Sequence, residues 1–163
     1  MSEKRFEVTF NSPQCGWMSI GLKGDSGEFL TTTAYAPHTN ALGELMDALA
    51  ELVGASDEGF RHVLKWNRDP EEYDFELNRQ GGEAFIKVYE YPTGDRREDE
   101  RELVFSHSGD PHAAAAAFFE TFRQLYEERG VDDFKENWHQ EFPLASFERL
   151  KTRLAAILAD PRS

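Results

Sequence analysis

The clearest indication of the fold lies in residues 69–91, which read DPEEYDFELNRQGGEAFIKVYEY. In its first half, acidic residues alternate with aromatic or aliphatic ones, and this period of two is typical of a β-strand with two different faces. Tyr73, Phe75 and Leu77 fall on the apolar face, which is expected to be buried. Residues 80–82, Gln-Gly-Gly, then precede a second strand-forming run. A short glycine turn between two such runs predicts an antiparallel hairpin.

Similar patterns extend outward from this hairpin in both directions. Helical spacing of apolar residues predicts helices after residues 40, 110 and 143, with Asn40 and Asp110 as N-caps and Pro111 at a first helical position. Alternation predicts further strands at residues 6–10, 17–23, 28–35, 60–66 and 103–107. The expected order is βββ-α-ββββ-αα(α), in a single domain of residues 1–163. The expected fold class is α+β, with one antiparallel sheet of about six to seven strands and helices packed on one face.

The chain is strongly acidic, with 31 Asp and Glu against 18 Lys and Arg and a formal net charge of -13. Binding to a phosphate backbone needs clustered Lys and Arg, so no nucleic acid partner is expected, and anionic membrane surfaces are disfavoured for the same reason. A basic protein partner or a cationic ligand suits the charge. The alternative is that the acidity only maintains solubility.

The composition also bears on location. No run approaches 18 apolar residues, and the first residues lack the apolar core of a signal peptide. We therefore expect no transmembrane helix and a cytoplasmic location. The single cysteine, Cys15, excludes an intramolecular disulfide.

Sequence motifs for catalysis are missing. There is no glycine-rich phosphate loop, no Cys-x-x-Cys or His-Glu-x-x-His zinc pattern and no Gly-x-Ser-x-Gly elbow. No cofactor or metal is expected, and a non-enzymatic role is favoured. Two weak patterns stay open: His107 and His112 flank the Asp110 turn and could form a site, and Glu136 with His139 has helical i, i+3 spacing typical of a surface pair.

Two groups of residues are candidate partner contacts. Glu72, Asp74 and Glu76 lie in one row along the predicted strand, about 7 Å apart, where they could hold a Lys- or Arg-rich surface. A plain solvated strand face is the alternative. Trp17 and Trp66 are the predicted aromatic anchors. They belong to a wider aromatic set with Tyr35, Tyr89 and Tyr91, for which ordinary core packing is the alternative.

The overall plan resembles small acidic bacterial domains of unknown function, some of which are similar to immunity proteins that neutralise secreted toxins. The resemblance is carried by residues 12–17, Ser-Pro-Gln-Cys-Gly-Trp, entering a strand, and by the Leu-x-x-Leu-Met-x-x-Leu-x-x-Leu pattern of residues 42–52. It covers the first half of the chain and carries no functional residues over. It implies binding by an acidic surface and no catalysis.

Three functional hypotheses follow. The first is a non-enzymatic interaction domain that binds a basic protein partner, immunity-like, through an acidic surface on residues 69–76 and the outer side of the first helix. The second is a small-molecule-binding domain or enzyme, with an aromatic-lined pocket between sheet and helices that could include His107 or His112. The third is a structural domain that self-associates into a homodimer through an uncovered sheet face or its edge strands.

Overall fold

The fold was analysed in a computed structural model, which describes residues 6–34, 41–54, 59–68, 70–128, 134–138 and 140–159, except for the side chains of residues 67 and 157–159. The predicted N-cap Asn40, the aromatic residue Tyr35 and the histidine of the Glu136–His139 pair lie outside the described residues.

The described elements follow the predicted order, and the α+β class is confirmed. The strands are β1 (Glu7–Phe10), β2 (Trp17–Gly24), β3 (Gly27–Ala34), β4 (Phe60–Asn67), β5 (Glu72–Gln80), β6 (Glu83–Tyr91) and β7 (Glu102–Gly109). The helices are α1 (Ala41–Gly54), α2 (Pro111–Glu128), the short α3 (Phe134–Trp138) and α4 (Leu144–Ala159).

The expectation of a single sheet is wrong, because the described strands form two antiparallel sheets. Sheet A has the order β1-β2-β3, and sheet B has the order β4-β5-β6-β7. Strand β3 does not continue the ladder of sheet B but contacts both of its edge strands. The indole of Trp66 in β4 donates to the carbonyl of Ala34 (2.8 Å), and the amide of Ser26 donates to the carbonyl of Ser106 in β7 (3.2 Å). The β2–β3 turn and the end of β3 thus reach opposite edges of sheet B, and β3 itself contacts both β4 and β7.

The predicted hairpin is confirmed as β5 and β6. Its register closes at Gln80 and Glu83, and Gly81 adopts a positive φ of 60°, which a glycine reaches at little cost. The apolar side of β5 is buried as expected: Tyr73, Phe75 and Leu77 are each 1% exposed. These side chains enter one core cluster that also receives residues from sheet A and from every described helix.

Helix α1 is more enclosed than its sequence pattern predicts. Ten of its 14 residues are buried, because β4 and β5 lie on one side of it and α4 on another. The acidic side of the helix faces a histidine and an arginine of neighbouring elements. Glu44 lies 2.8 Å from the His62 ring, while Asp47 and Glu51 each lie 3.6 Å from the guanidinium of Arg149 in α4. The acidic side of α1 is therefore partly neutralised.

Helix α2 is fixed at its start and at its middle. The predicted N-cap is confirmed, since the Asp110 carboxylate accepts a hydrogen bond from the amide of Ala113 (2.8 Å), and Pro111 is the first helical residue. Further along, the buried hydroxyl of Thr121 accepts from the amide of Phe10 (2.8 Å) and donates to its carbonyl (3.3 Å). These contacts hold α2 against β1 and place its first turns beside the end of β7.

Candidate functional site

The predicted acidic row on β5 is not a solvated face. Glu72 and Asp74 are only 8% and 9% exposed, and the side chain of Glu76 is 13% exposed. Cations oppose the row from both neighbouring strands, because Lys65 is the register partner of Asp74 and Lys87 that of Glu76. The expectation of an open acidic surface here is wrong.

The cover over this row is the β6–β7 connection, which folds back over sheet B. Arg96 has a positive φ of 50°, and its guanidinium donates to Glu72 (2.8 Å), to Asp74 (2.5 Å) and to the carbonyl of Tyr73 (3.1 Å). The hydroxyl of Tyr91 donates to the other oxygen of Asp74 (2.7 Å). Burial, with this hydrogen bond as a second cause, raises the pKa of Tyr91. The carboxylates therefore belong to a buried charge network, and a partner-binding role for them stays a prediction.

The two predicted tryptophan anchors lie in different environments. Trp66 is completely buried in the core, whereas Trp17 is 40% exposed on the outer face of sheet A. Tyr89 and Tyr91 of β6 share Arg101 as a neighbour: Tyr91 is buried over Asp74, and the ring of Tyr89 carries the guanidinium of Arg101 at 4.1 Å. The aromatic set does not line one described pocket.

The outer face of sheet A is open to solvent. Leu30 is 70% exposed beside Gly21, and a concavity of about 520 Å³ lies over the centre of the three strands. Charged residues of both signs, including Glu28, Lys23 and Arg68, border this concavity. It is a mixed apolar and polar surface without a dominant charge.

A larger concavity, which we call the acidic cleft, opens where β7 meets the start of α2. Its volume is about 1030 Å³. The β2–β3 turn, the β5–β6 hairpin and the first turns of α2 enclose it. Four alanines on the facing side of α2 leave the space open, because their side chains are short. The lining residues are Phe6, Asp25, Gly82, Glu83, His107, Ser108, Gly109, Asp110, Ala113, Ala114, Ala116, Ala117 and Glu120.

The charged residues that line the cleft are acidic. Asp25, Glu83, Asp110 and Glu120 line it, and no Lys or Arg is among its lining residues within the described ranges. Asp25 and Glu120 have side chains that are 48% and 59% exposed, so they can meet a cation with little loss of hydration. Arg123 lies next to the cleft and forms an ion pair with Glu120, and this hydrogen bond lowers the pKa of Glu120. The carboxylates together create a field that attracts cations.

His107 forms the polar floor of the cleft. Its ring stacks on Phe6, with centroids 4.6 Å apart and planes inclined by 18°, and its side chain is only 9% exposed. Nδ1 accepts a hydrogen bond from the amide of Asp25 (3.2 Å). The carboxylate of Asp25 in turn accepts from the amide of Ser108 (3.0 Å). The turn of Asp25 therefore fixes both the position and the orientation of the imidazole.

The two histidines of the predicted segment are not brought together. His107 faces the cleft, whereas Nε2 of His112 lies 3.5 Å from the carbonyl of Leu154 in α4. In the part of the chain that the structure describes, no group of three or more His, Cys, Asp or Glu side chains could hold a metal ion. Sequence reasoning found His107 and Asp110, but it missed Asp25, Glu83 and Glu120 as parts of a site.

A second acidic group lies at the opposite end of sheet B. Glu90 is the register partner of Glu102, and it also lies near enough to Glu71 to be repelled by that carboxylate. Burial raises the pKa of Glu90, and repulsion from Glu71 and Glu102 adds to the shift, while Arg68 opposes it. Repulsion between these carboxylates destabilises this end of sheet B locally. No described cavity opens onto them.

Comparisons with protein-family models, with curated protein sequences and with solved structures found no match for the chain. Among the described helices, none combines the length and the apolar character needed to cross a bilayer.

Proposed function

We propose that the protein is a non-enzymatic interaction domain that binds a basic protein partner at the acidic cleft. One observation carries the proposal: four carboxylates converge on a cleft of about 1030 Å³ whose described lining contains no Lys or Arg. The resemblance to immunity-like domains implies the same mode of binding, but the proposal rests on the cleft.

The cleft suits this role better than the β5 row does. Complementary charge speeds association and selects partners, and it acts only where both surfaces can approach each other. Glu83 and Glu120 are open to solvent at the cleft, whereas Glu72 and Asp74 lie under Arg96. A partner would have to displace a buried, hydrogen-bonded guanidinium to reach the β5 row. At the cleft, Glu83 is exposed, and the Arg123 side chain that pairs with Glu120 is itself 41% exposed, so a partner can approach both carboxylates from solvent.

The test is binding of a fluorescein-labelled basic peptide, followed by fluorescence anisotropy at low ionic strength. The double variant Glu83→Gln with Glu120→Gln should weaken binding roughly tenfold, because an exposed ion pair contributes up to about 1 kcal/mol and two are removed. Salt should weaken binding to the unaltered protein as well.

The matched control removes the same charge elsewhere. Glu98→Gln with Asp99→Asn changes two exposed carboxylates on the β6–β7 connection, outside the cleft. This variant should bind within about twofold of the unaltered protein. An equal loss of peptide affinity in both double variants would mean that net charge alone drives binding. That result would overturn the assignment of the binding site to the cleft.

We propose self-association as a second candidate function, because the outer face of sheet A leaves apolar side chains in solvent. Leu30 is 70% exposed and Trp17 is 40% exposed on the same face. Burying such side chains favours association. Sedimentation velocity over a hundredfold concentration range should show a dimer that Leu30→Glu abolishes. A monomer at every concentration would exclude this candidate.

A further inference from the structure

The protonation of His107 follows from its surroundings. The amide of Asp25 donates to Nδ1 at 3.2 Å. Since a backbone amide always carries its hydrogen, Nδ1 is the acceptor and the proton of the neutral ring is on Nε2. The carboxylate of Asp25 lies 3.4 Å from Nδ1, but the amide hydrogen already occupies the lone pair of that nitrogen. His107 therefore presents an N–H donor at Nε2.

Within the described ranges, this donor forms no hydrogen bond. None of the residues that the structure describes places an acceptor within hydrogen-bond distance of Nε2, although the side chain is only 9% exposed. Nε2 points toward Gly109, where a Cβ would lie 3.5 Å away, and both residues line the acidic cleft. A buried donor without an acceptor costs free energy, and a ligand that brings an acceptor recovers it.

The ring cannot easily turn away from the cleft. Phe6 stacks on one side of it at 4.6 Å, and the backbone of Gly24 lies so close that a Cβ there would be 2.6 Å from Nδ1. The donor is thus held in place before any ligand arrives, and such preorganisation favours a ligand with an acceptor at that point.

The geometry points to an extended basic peptide segment as the occupant of the acidic cleft. Its main-chain carbonyl accepts from Nε2 of His107, and a Lys or Arg side chain beside that carbonyl pairs with Glu83 or Glu120. This inference rests on the proposed function and deepens it. A polyamine supplies the positive charge but has no acceptor for Nε2–H, whereas every residue of a peptide has a carbonyl. The site therefore discriminates between two cations of equal charge.

The test compares blocked tetralysine with spermine, because both carry ammonium groups of similar number and only the peptide has carbonyls. Calorimetric titrations should give tetralysine an affinity about tenfold above that of spermine, as expected for one additional hydrogen bond. The variants His107→Asn and His107→Gln form a matched pair, since both lose the ring that stacks on Phe6. Asn keeps an acceptor at the position of Nδ1 and loses the Nε2 donor. Gln keeps a donor at the position of Nε2.

His107→Asn should reduce tetralysine affinity about tenfold and leave spermine affinity unchanged, whereas His107→Gln should stay within about threefold for both probes. In the unaltered protein, a long-range proton–nitrogen correlation spectrum should show a protonated Nε2 that shifts with tetralysine and not with spermine. Equal binding of the two probes, or equal effects of the two variants, would overturn the His107 contact and leave the proposed function standing. No binding of tetralysine to the unaltered protein would overturn both.

Discussion

Replacing Arg96 with alanine should destabilise the protein by about 3 kcal/mol. The guanidinium pairs with Glu72 and Asp74, whose side chains are 10% and 12% exposed, and it also donates to the carbonyl of Tyr73. Removing one partner of a buried ion pair costs about 3–5 kcal/mol, because the remaining charge stays desolvated. The lower end applies here, since Asp74 keeps the Tyr91 hydroxyl and water can enter where the Arg96 side chain was.

Urea unfolding followed by circular dichroism measures this loss of unfolding free energy directly, and thermal unfolding gives a second measure of it. A chain of this length loses about 2–4 °C of melting temperature per kcal/mol, so Arg96→Ala should melt about 6–12 °C lower. The adjacent Arg97 is the matched control. Its side chain is 63% exposed and pairs only with Asp99 and Glu100 among described residues, so Arg97→Ala should cost less than about 0.5 kcal/mol.

A triple variant separates the charge network from simple loss of packing. Arg96→Met combined with Glu72→Gln and Asp74→Asn removes the buried charges together, so no uncompensated charge stays desolvated. The triple variant should recover at least half of the stability that Arg96→Ala loses. Equal stability of the Arg96→Ala and Arg97→Ala variants would contradict this prediction. It would mean that Arg96 does not compensate the buried charges of the two β5 carboxylates.

Three further substitutions test other features of the fold by the same unfolding measurements. Glu90→Gln should raise the unfolding free energy at pH 7 by up to about 1 kcal/mol, because it removes a like-charge pair with Glu102. The pKa of Glu90 is raised in the fold, so its penalty is present at neutral pH and is relieved as the pH falls; the gain should vanish below the ordinary value of 4.5. Thr121→Val should cost about 1–3 kcal/mol, since it leaves the amide of Phe10 without its buried acceptor, and Thr121→Ser should retain most of the stability. Asp110→Ala should cost about 1 kcal/mol through loss of the N-cap, and Asp110→Asn should cost much less.

The predictions that the structure confirms depend on signals within a few residues of chain. The β5–β6 hairpin follows from alternation and two glycines, and the start of α2 follows from Asp110 and Pro111. These signals come from residues that are neighbours in the sequence, so no tertiary contact is needed to recognise them. The division into two sheets has no local signal. The sequence pattern of an antiparallel strand is the same whether the next strand pairs with it or belongs to another sheet.

The acidic row failed as an exposed surface for a related reason. Alternation shows that a strand has two faces, but it does not show what covers each face. Here Arg96, more than 20 residues further along the chain, covers the face that carries Glu72 and Asp74. The cleft could not be predicted from the sequence for the same reason. Asp25 and His107 are 82 residues apart in the sequence, and no motif links them.

The position of each carboxylate in the sheet explains which charges remain available. Inside a ladder, a carboxylate has register partners on both sides, and β5 meets Lys65 and Lys87 there. Asp25 in the β2–β3 turn and Asp110 between β7 and α2 lie outside the strands, so neither has a register partner in a ladder. Cations therefore oppose the acidic row along β5, whereas Glu90 and Glu102 face each other between β6 and β7, and the carboxylates of the turns stay outside the ladders. Charges at strand ends can bind a partner without disturbing the sheet, whereas charges within the sheet serve mainly its stability, so substitutions at the two places should separate binding from folding.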